Sequence, residues 1–435
     1  MQNNKGVNMM ENIELVKNKK DCCGCEACMN ICPKNAITME KDEFGFTYPK
    51  IDNEKCIKCG LCKRTCAYQN EKESSKTIES YASISKDLEL LKKSASGGIF
   101  ASIAMKILEK DGVVYGCSLE REEDRLTPKH IRVDEAKDLA KLQGSKYVQS
   151  KTGFIYQDIK KDLKDNKIVL FSGTPCQVAA LNSFLGNIDK TNLFTIDIIC
   201  HGTPSIKFFQ DYISVLEKKL KGKITNFSFR DKTEGWGLKG KAYYIDKKNT
   251  KKEKIILSHL SSYYRLFLNS SIYRENCYNC KYAGDNRVGD LTIGDYWGIE
   301  KEHPDYLKNN GGVIDEKKGV SCILVNTPQG KKLIEKFGEV LEIKQSTFAK
   351  VAKQNGQLNY PSKKNKDRKK ILEIYKNEGY EGVEKWFFSK LGSKKYLYFI
   401  WEKIPRKIQL LIKKWIIIYN ICSIQYSSKE KSIIW

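Results

Sequence analysis

Eight cysteines carry the most specific chemistry in the sequence. Cys22, Cys25, Cys28 and Cys32, followed by Pro33, form C-x2-C-x2-C-x3-C-P, and Cys56, Cys59, Cys62 and Cys66 repeat the spacing with Ala67 in place of the proline. Thiolates two residues apart on a short loop hold three irons of a cubane, while the fourth cysteine of each run ligates the other cluster. The expected sets are therefore Cys22, Cys25 and Cys28 with Cys66, and Cys56, Cys59 and Cys62 with Cys32, each around one [4Fe-4S] cluster. Zinc also accepts four thiolates arranged in C-x2-C pairs, but two complete four-cysteine runs favour the two-cluster ferredoxin reading. Cys23 is a spare thiol beside Cys22 and is expected to be structural.

Seven more cysteines follow. Cys277 and Cys280 form C-x2-C in the loop-like stretch RENCYNCKYAGDNR, while Cys176 lies in FSGTPCQ and Cys200 in DIICHGTPS, each where a strand gives way to a helix. In an open α/β sheet such turns gather outside the carboxyl ends of the strands, where ligands bind. Four thiols can converge there on a third cluster; otherwise Cys176 is a low-pKa thiol at a helix N-terminus or a small buried residue. Cys117 and Cys322 sit in apolar strands and are read as core, and Cys422 lies near the C-terminus. A phosphate has candidate partners as well. SASGG (94–98) runs directly into a helix at Ile99 and presents backbone N–H groups and a helix dipole to an anion, although Ser96 as an ordinary N-cap explains the same residues. GSKYVQS (144–150) adds Lys146 and hydroxyls. No G-x-G-x-x-G follows a strand, so a Rossmann dinucleotide site is not supported.

These groups need elements to hold them. Residues 22–66 contain nine of the sixteen cysteines, and EKESSK (71–76) reads as a linker. Beyond it, buried strands at Val113–Leu119, Ile168–Ser172 and Leu193–Cys200 alternate with helices at Ile99–Glu109, Cys176–Leu185 and Ser205–Leu220. Phe227–Ile245 reads as antiparallel strands around a Gly-rich turn. The fold expected is α+β: a two-cluster ferredoxin-like module over 1–75, a larger α/β domain with a mixed sheet over 76–360, and a basic, aromatic-rich helical tail over 361–435. Residues 363–435 hold 18 Lys+Arg against 7 Asp+Glu, with aromatic clusters at Tyr396–Trp401 and Trp415–Tyr419. That pattern suits a helix on an anionic membrane surface or a helical cap packed on the domain.

Composition sets the outer limits. A chain of 435 residues predicts two to four domains, and 77 Lys+Arg against 53 Asp+Glu leave a formal +24. Sixteen cysteines in so long a chain do not describe a small disulfide scaffold. No secretory signal is read at the N-terminus and no stretch approaches 18 uninterrupted apolar residues, Leu410–Ile421 being the nearest. A cytoplasmic protein is expected, peripheral at the inner membrane face if the tail meets lipid. Basicity alone, with no zinc-finger, helix-turn-helix or RNP-like pattern, does not support nucleic-acid binding.

The ordered series SGG (96–98), GSKYVQS (144–150), FSGTPCQ (171–177), CHGTPS (200–205), CYNCKYA (277–283) and DLTIGDYWG (290–298) resembles the family of coenzyme F-420 hydrogenase/dehydrogenase beta subunits. The resemblance spans roughly residues 20–345. It implies FAD and an iron–sulfur cluster in the α/β domain, with Cys176, Cys200, Cys277 and Cys280 as ligands and Ser96, Gly97, Gly98, Lys146 and Ser150 as flavin contacts. His201 and Asp295 are candidates for supporting or proton-handling roles. The function expected is an iron–sulfur flavoprotein oxidoreductase. It would link an acidic ferredoxin or similar one-electron carrier to an unidentified small-molecule substrate, in surface-polysaccharide synthesis if the tail touches membrane. Alternatives are a non-enzymatic electron-transfer subunit of a larger redox complex and a true deazaflavin (F-420) oxidoreductase.

Overall fold

Val169–Gly173 and Leu193–Ile198 begin as almost uninterrupted apolar runs, and strands of that kind are stable only where both faces of a sheet are covered. The computed structural model describes residues 13–70, 74–233, 235–404 and 408. In chain order its strands are β1 (Ile37–Lys41), β2 (Thr47–Ile51), β3 (Ser75–Lys76), β4 (Glu79–Ser85), β5 (Val113–Glu122), β6 (Arg125–Val133), β7 (Val169–Gly173) and β8 (Leu193–Ile198). They continue with β9 (Gly222–Ser228), β10 (Lys239–Asp246), β11 (Lys251–Leu257), β12 (Asn286–Arg287), β13 (Leu291–Asp295), β14 (Ser321–Val325) and β15 (Leu341–Ser346).

One eight-stranded sheet runs in the order β15-β4-β14-β13-β8-β7-β5-β6. Its centre, β13-β8-β7-β5, is parallel, and the outer strands β6, β14, β4 and β15 join antiparallel. The sheet is mixed, as expected, but not through Phe227–Ile245. That region forms a separate three-stranded sheet, β11-β10-β9. Phe227, Phe229, Ala242 and Ile256 there share a core with Phe208 and Phe209 of the Ile206–Leu220 helix and with Tyr263 and Tyr264, so its apolar face is already spent. Cys322 is fully buried in β14, whereas Cys117 on β5 borders a cavity and is not core.

The ferredoxin-like module, with its β1-β2 hairpin and two short helices (Ala27–Ile31 and Leu61–Thr65), shares a core with the larger domain. Ala27, Ala67 and Tyr68 pack with residues of the Ile155–Lys164 and Pro175–Leu185 helices and of β7. Even the end of the linker is held, since Ser75 and Lys76 pair with β12. In the tail, the Arg368–Leu391 helix breaks at Gly379 (φ 66°, ψ −165°) and buries Ile371, Tyr375, Tyr380 and Val383 against Phe208, Tyr212 and Tyr263. A packed cap is thus what these residues form. Leu410–Ile421, the Trp415–Tyr419 cluster and Cys422 lie outside the described residues. Among the described residues no helix is long and apolar enough to cross a membrane.

One buried ion pair ties the sheet to the cysteine loop. Arg287 donates from Nη2 to Asp197 Oδ1 (2.8 Å), from Nη1 to the Tyr282 carbonyl (2.9 Å) and from Nε to Thr292 Oγ1 (3.1 Å). Both side chains are almost wholly buried, at 2% and 0% exposure. Removing one member strands a buried charge, which costs roughly 3–5 kcal/mol. Arg287→Leu should lose stability by about that amount in urea unfolding. Asp197→Asn should lose less, because its amide oxygen can still accept from the Gly289 N–H (3.0 Å).

Candidate functional site

The two four-cysteine runs fold alike because their sequences do. Each places a left-handed residue before a five-residue helix, Glu26 (φ 65°) and Gly60 (φ 72°), and each ends with an extended cysteine, Cys32 and Cys66. Pairing the two helices exchanges the last cysteines. Burial pushes the Cys28 thiol well up, and Cys25, Cys22, Cys66 and Cys62 add to it; burial raises Cys66 to about 11, with Cys25 and Cys22 contributing. Cys62 is raised by burial and by Cys32, Cys56 and Cys59. Those last four border one small apolar pocket with Ile13, Ile37, Ile51, Ile57 and Leu61. The two runs lie close together, with Cys28 and Cys32 both packed beside Cys62. Backbone amides point at the sulfurs, Gly24 N–H to Cys22 (3.4 Å) and Ala36 N–H to Cys32 (3.3 Å), the kind of donor that steadies cluster ligands.

A third group of thiols comes from three separate elements. Cys176 occupies the first turn of the helix after β7, Cys200 follows β8, and Cys277 and Cys280 lie in and just after the Glu275–Asn279 turn. Burial raises Cys200, with Cys277, Cys176 and Cys280 adding to it, and it pushes Cys277 to about 11 and Cys280 to about 12. Among the described residues no three His, Cys, Asp or Glu side chains close around a single metal ion.

Cys23 joins the groups. The Cys176 and Cys25 thiols beside it, together with burial, push the Cys23 thiol well up. The residues around it bind module to domain. Arg274, fully buried, donates to the Cys22 carbonyl (2.8 Å), the Thr47 carbonyl (2.6 Å) and Cys22 Sγ (3.5 Å). The Glu26 carboxylate accepts from the amides of Thr152 (2.9 Å) and Gly153. A Cβ on Gly24 would stand 2.5 Å from Gln149 Nε2 and 2.9 Å from Arg274 Nη1, so only glycine permits this approach. Tyr68 and Tyr282 meet edge to face, and the Tyr68 hydroxyl donates to the carbonyls of Asn276 and Asn279. Neither Arg274 nor Glu26 stands out in the sequence patterns; their positions beside ligand cysteines are the signal that could have found them.

Next to Cys23 and Cys176 opens a cavity of about 380 Å³. Ser96, Gly98, Lys146 and Ser150 line it, together with Cys117, His130, His201, Arg230, Asp295 and Trp297. Gly97 does not. It lies against the sheet, where a Cβ would come within 2.5 Å of the Ser83 carbonyl, and its N–H donates to Ser321 Oγ (2.9 Å). Lys146 is also committed elsewhere: its Nζ donates to the carbonyls of Lys141, Leu142 and Gln143. What the cavity does offer an anion is the first turn of the Ile99–Leu108 helix behind the left-handed Gly98 (φ 81°); the Pro175–Leu185 helix is closed by its own capping box of Thr174 and Gln177. Ser96 is not the N-cap; its hydroxyl donates to the Val320 carbonyl (2.8 Å).

Polar side chains complete the walls. Burial lowers His130 to about 4, and the neutral ring bridges Ser150 Oγ (3.1 Å) and the Ser172 carbonyl (3.1 Å). Asp295 accepts from Arg230 (2.8 and 3.3 Å) and from Trp236 Nε1 (3.0 Å). Trp236 lies parallel to Trp297 at 4.7 Å. Asp295 thereby positions an arginine and an indole. Arg230, with a side chain only 2% exposed, keeps an Nε–H without an acceptor. His201 stays exposed at the cavity wall.

Comparison with known proteins agrees with this layout. Residues 21–70 match the 4Fe-4S dicluster domain, residues 80–153 the N-terminal part of the coenzyme F420 hydrogenase/dehydrogenase beta subunit, and residues 166–350 its C-terminal part. A subunit of the F(420)H(2) dehydrogenase of Methanosarcina mazei is 21% identical over 318 residues, 68% of this chain and 85% of that protein. An uncharacterized ferredoxin of Methanocaldococcus jannaschii is 35% identical over 54 residues, 12% of this chain and 69% of that protein. Among solved structures, a chain of the F420-reducing [NiFe] hydrogenase complex from Methanosarcina barkeri aligns with a TM-score of 0.41 at 18% identity, covering 69% of this chain and 93% of that one. With both parts of the beta subunit matched in order behind a dicluster domain, the chain belongs to the family of coenzyme F420 hydrogenase/dehydrogenase beta subunits.

Proposed function

We propose that this protein is an iron–sulfur electron-transfer subunit that moves single electrons from a protein carrier inward to a two-electron centre in the 380 Å³ cavity. The observation that carries the reading is the buried Cys23 thiol, which neighbours Cys25 of the ferredoxin module and Cys176 of the larger domain. Electrons would pass from the set Cys32, Cys56, Cys59 and Cys62 to the set Cys22, Cys25, Cys28 and Cys66, and then to Cys176, Cys200, Cys277 and Cys280. Cys23 also lines the cavity beside Cys176. The M. mazei relative is by name a subunit of a dehydrogenase, which supports a place within a complex.

On this reading each of the three thiol sets would hold a [4Fe-4S] cluster, and the buried Arg274 cation offsets the negative charge such clusters bring. FAD is the candidate for the cavity, with a phosphate at the first turn of the Ile99–Leu108 helix, and it would supply exchange between single electrons and hydride. Gly98 provides the left-handed turn that aims that helix. His130, held neutral, fixes the Ser150 hydroxyl without adding charge to the wall.

A second reading, a reductase that acts on a small molecule by itself, is favoured by the Arg230 Nε–H. A buried donor without an acceptor suits a ligand's carbonyl or carboxylate oxygen. Reduced protein that is reoxidised by a small molecule in the absence of any protein partner would support this reading over the first.

Iron, sulfide and flavin analysis of anaerobically prepared protein should find about twelve irons and one flavin per chain, on four irons per cysteine quartet. About eight irons would exclude a third cluster, and a flavin-free protein would exclude FAD. Cys280→Ser should lower iron by about four while leaving the two-cluster electron paramagnetic resonance signal of the module. Cys23→Ala should keep the full iron content but shift the potentials of the clusters proposed at its neighbours Cys25 and Cys176, since the surroundings of cluster sulfur help set potential; unchanged potentials in a redox titration would show that the thiol only fills space.

A further inference from the structure

The two cluster sites of the ferredoxin module differ in what surrounds them. The Cys22, Cys25, Cys28 and Cys66 group faces the larger domain, closed in by Arg274, Glu26 and Tyr68. The Cys32, Cys56, Cys59 and Cys62 group borders a small pocket with an exposed rim. Pro33 and Lys34 are exposed on one side, and Ile57, at 51% exposure, lies on the other with Lys58 beside it. Lys63 and Arg64, exposed on the helix that carries Cys62, extend the rim.

The charges on this rim are uncompensated. Lys55 pairs with Asp52 (2.9 Å), but among the described residues Lys34, Lys58, Lys63 and Arg64 have no ion-pair partner, and Glu54 is the only other acid in the 52–64 stretch. Lys58 sits in the left-handed region (φ 54°) between the ligand cysteines Cys56 and Cys59, where the cluster loop itself sets its position. An exposed apolar side chain ringed by unpaired cations is the arrangement of a transient electron-transfer contact. The apolar centre gives a small dry patch, and the charges steer encounter and orient the partner. Transfer between redox centres falls steeply with distance, so a carrier has to dock where a cluster lies near the surface.

We propose that the face formed by Lys34, Ile57, Lys58, Lys63 and Arg64 is where a small acidic one-electron carrier protein docks and exchanges electrons with the cluster held by Cys32, Cys56, Cys59 and Cys62. The proposal rests on the reading of those four cysteines as cluster ligands. It adds the partner's charge, its docking residues and the one cluster it meets. One electron passes from the reduced carrier to this cluster, oxidising the carrier and reducing the cluster, with no bond made or broken.

The test compares reduction of the full-length, iron-loaded protein by a small, reduced, acidic bacterial-type ferredoxin and by dithionite, followed by stopped-flow absorbance. Wild-type reduction by the ferredoxin should slow steeply as salt is raised. A Lys34→Glu/Lys58→Glu/Lys63→Glu variant should react at least about tenfold more slowly at low salt, with its salt dependence flattened, as loss of rim charge acts on association. Its iron content and its reduction by dithionite should stay at wild-type values. A Lys34→Gln/Lys58→Gln/Lys63→Gln variant should fall between the two, and it supplies the comparison if the reversed charges reduce iron loading. Equal rates for wild type and the glutamine variant, or a wild-type rate indifferent to salt, would overturn the docking face. Wild-type protein lacking a cluster at Cys32, Cys56, Cys59 and Cys62 would overturn the underlying reading instead, and iron analysis shows which has failed.

Discussion

Arg274 is the residue on which the site's arrangement depends. A guanidinium with no exposed surface must satisfy its donors within the protein, and here they reach the Cys22 carbonyl, the Thr47 carbonyl and Cys22 Sγ. Those acceptors belong to the ferredoxin module, whereas Arg274 stands three residues before Cys277 in the larger domain. One side chain therefore sets the distance between two cysteine groups that lie some 250 residues apart in sequence. Its ring contact with Tyr48, 4.3 Å from guanidinium carbon to ring centre, fixes the same group from the other side. Gly24 is required because this guanidinium and Gln149 take the space a side chain would fill.

The parallel centre of the sheet does the complementary work. Placing β7 and β8 side by side, with Gly173 opposite Asp197, brings the turns carrying Cys176 and Cys200 together at one sheet edge. The Cys277–Cys280 loop has no strand of its own to hold it, and Arg287 supplies the connection by spanning the Tyr282 carbonyl, β13 and Asp197 at the end of β8. Two buried arginines thus do for the third cysteine group what short loop spacing does for the first two. Arg274 also sits against Cys22 Sγ, where a thiolate cluster would place negative charge, and Arg287 is neutralised by Asp197.

What could be read from the sequence follows from how local each feature is. The eight module cysteines were legible because a few residues of spacing define their geometry, and the helices at Ile99, Pro175 and Ile206 were legible through apolar periodicity and turn residues. The placing of Cys176 and Cys200 at the ends of neighbouring parallel strands was legible only in outline, since it depends on strand order. Roles that depend on long-range packing were misjudged. Gly97 serves close approach to β4 and β14, Lys146 caps a turn, Cys117 faces the cavity, and Cys23 joins two thiol groups. β4 and β15 were missed: pairing with each other and with β14 holds them in the sheet, and such non-local pairing leaves only a weak mark in a single strand's composition.

The shared core has a functional consequence of its own. A ferredoxin on a flexible tether would meet its acceptor at an effective concentration set by linker length, and each transfer would wait on that encounter. Here Ala27, Ala67 and Tyr68 are packed into the core of the larger domain, and the end of the linker is a paired strand. Cys25 of the module and Cys176 of the larger domain are therefore held on either side of the buried Cys23 thiol. On the proposed reading, transfer between the module and the domain would be an internal step, and encounter with a carrier would fall on the outer face of the module, where exposed charge bears on rate while the charge buried at Arg274 bears on geometry. The formal excess of +24 thus divides into parts with different physics: salt screens the exposed part beyond a Debye length and leaves the buried part nearly untouched.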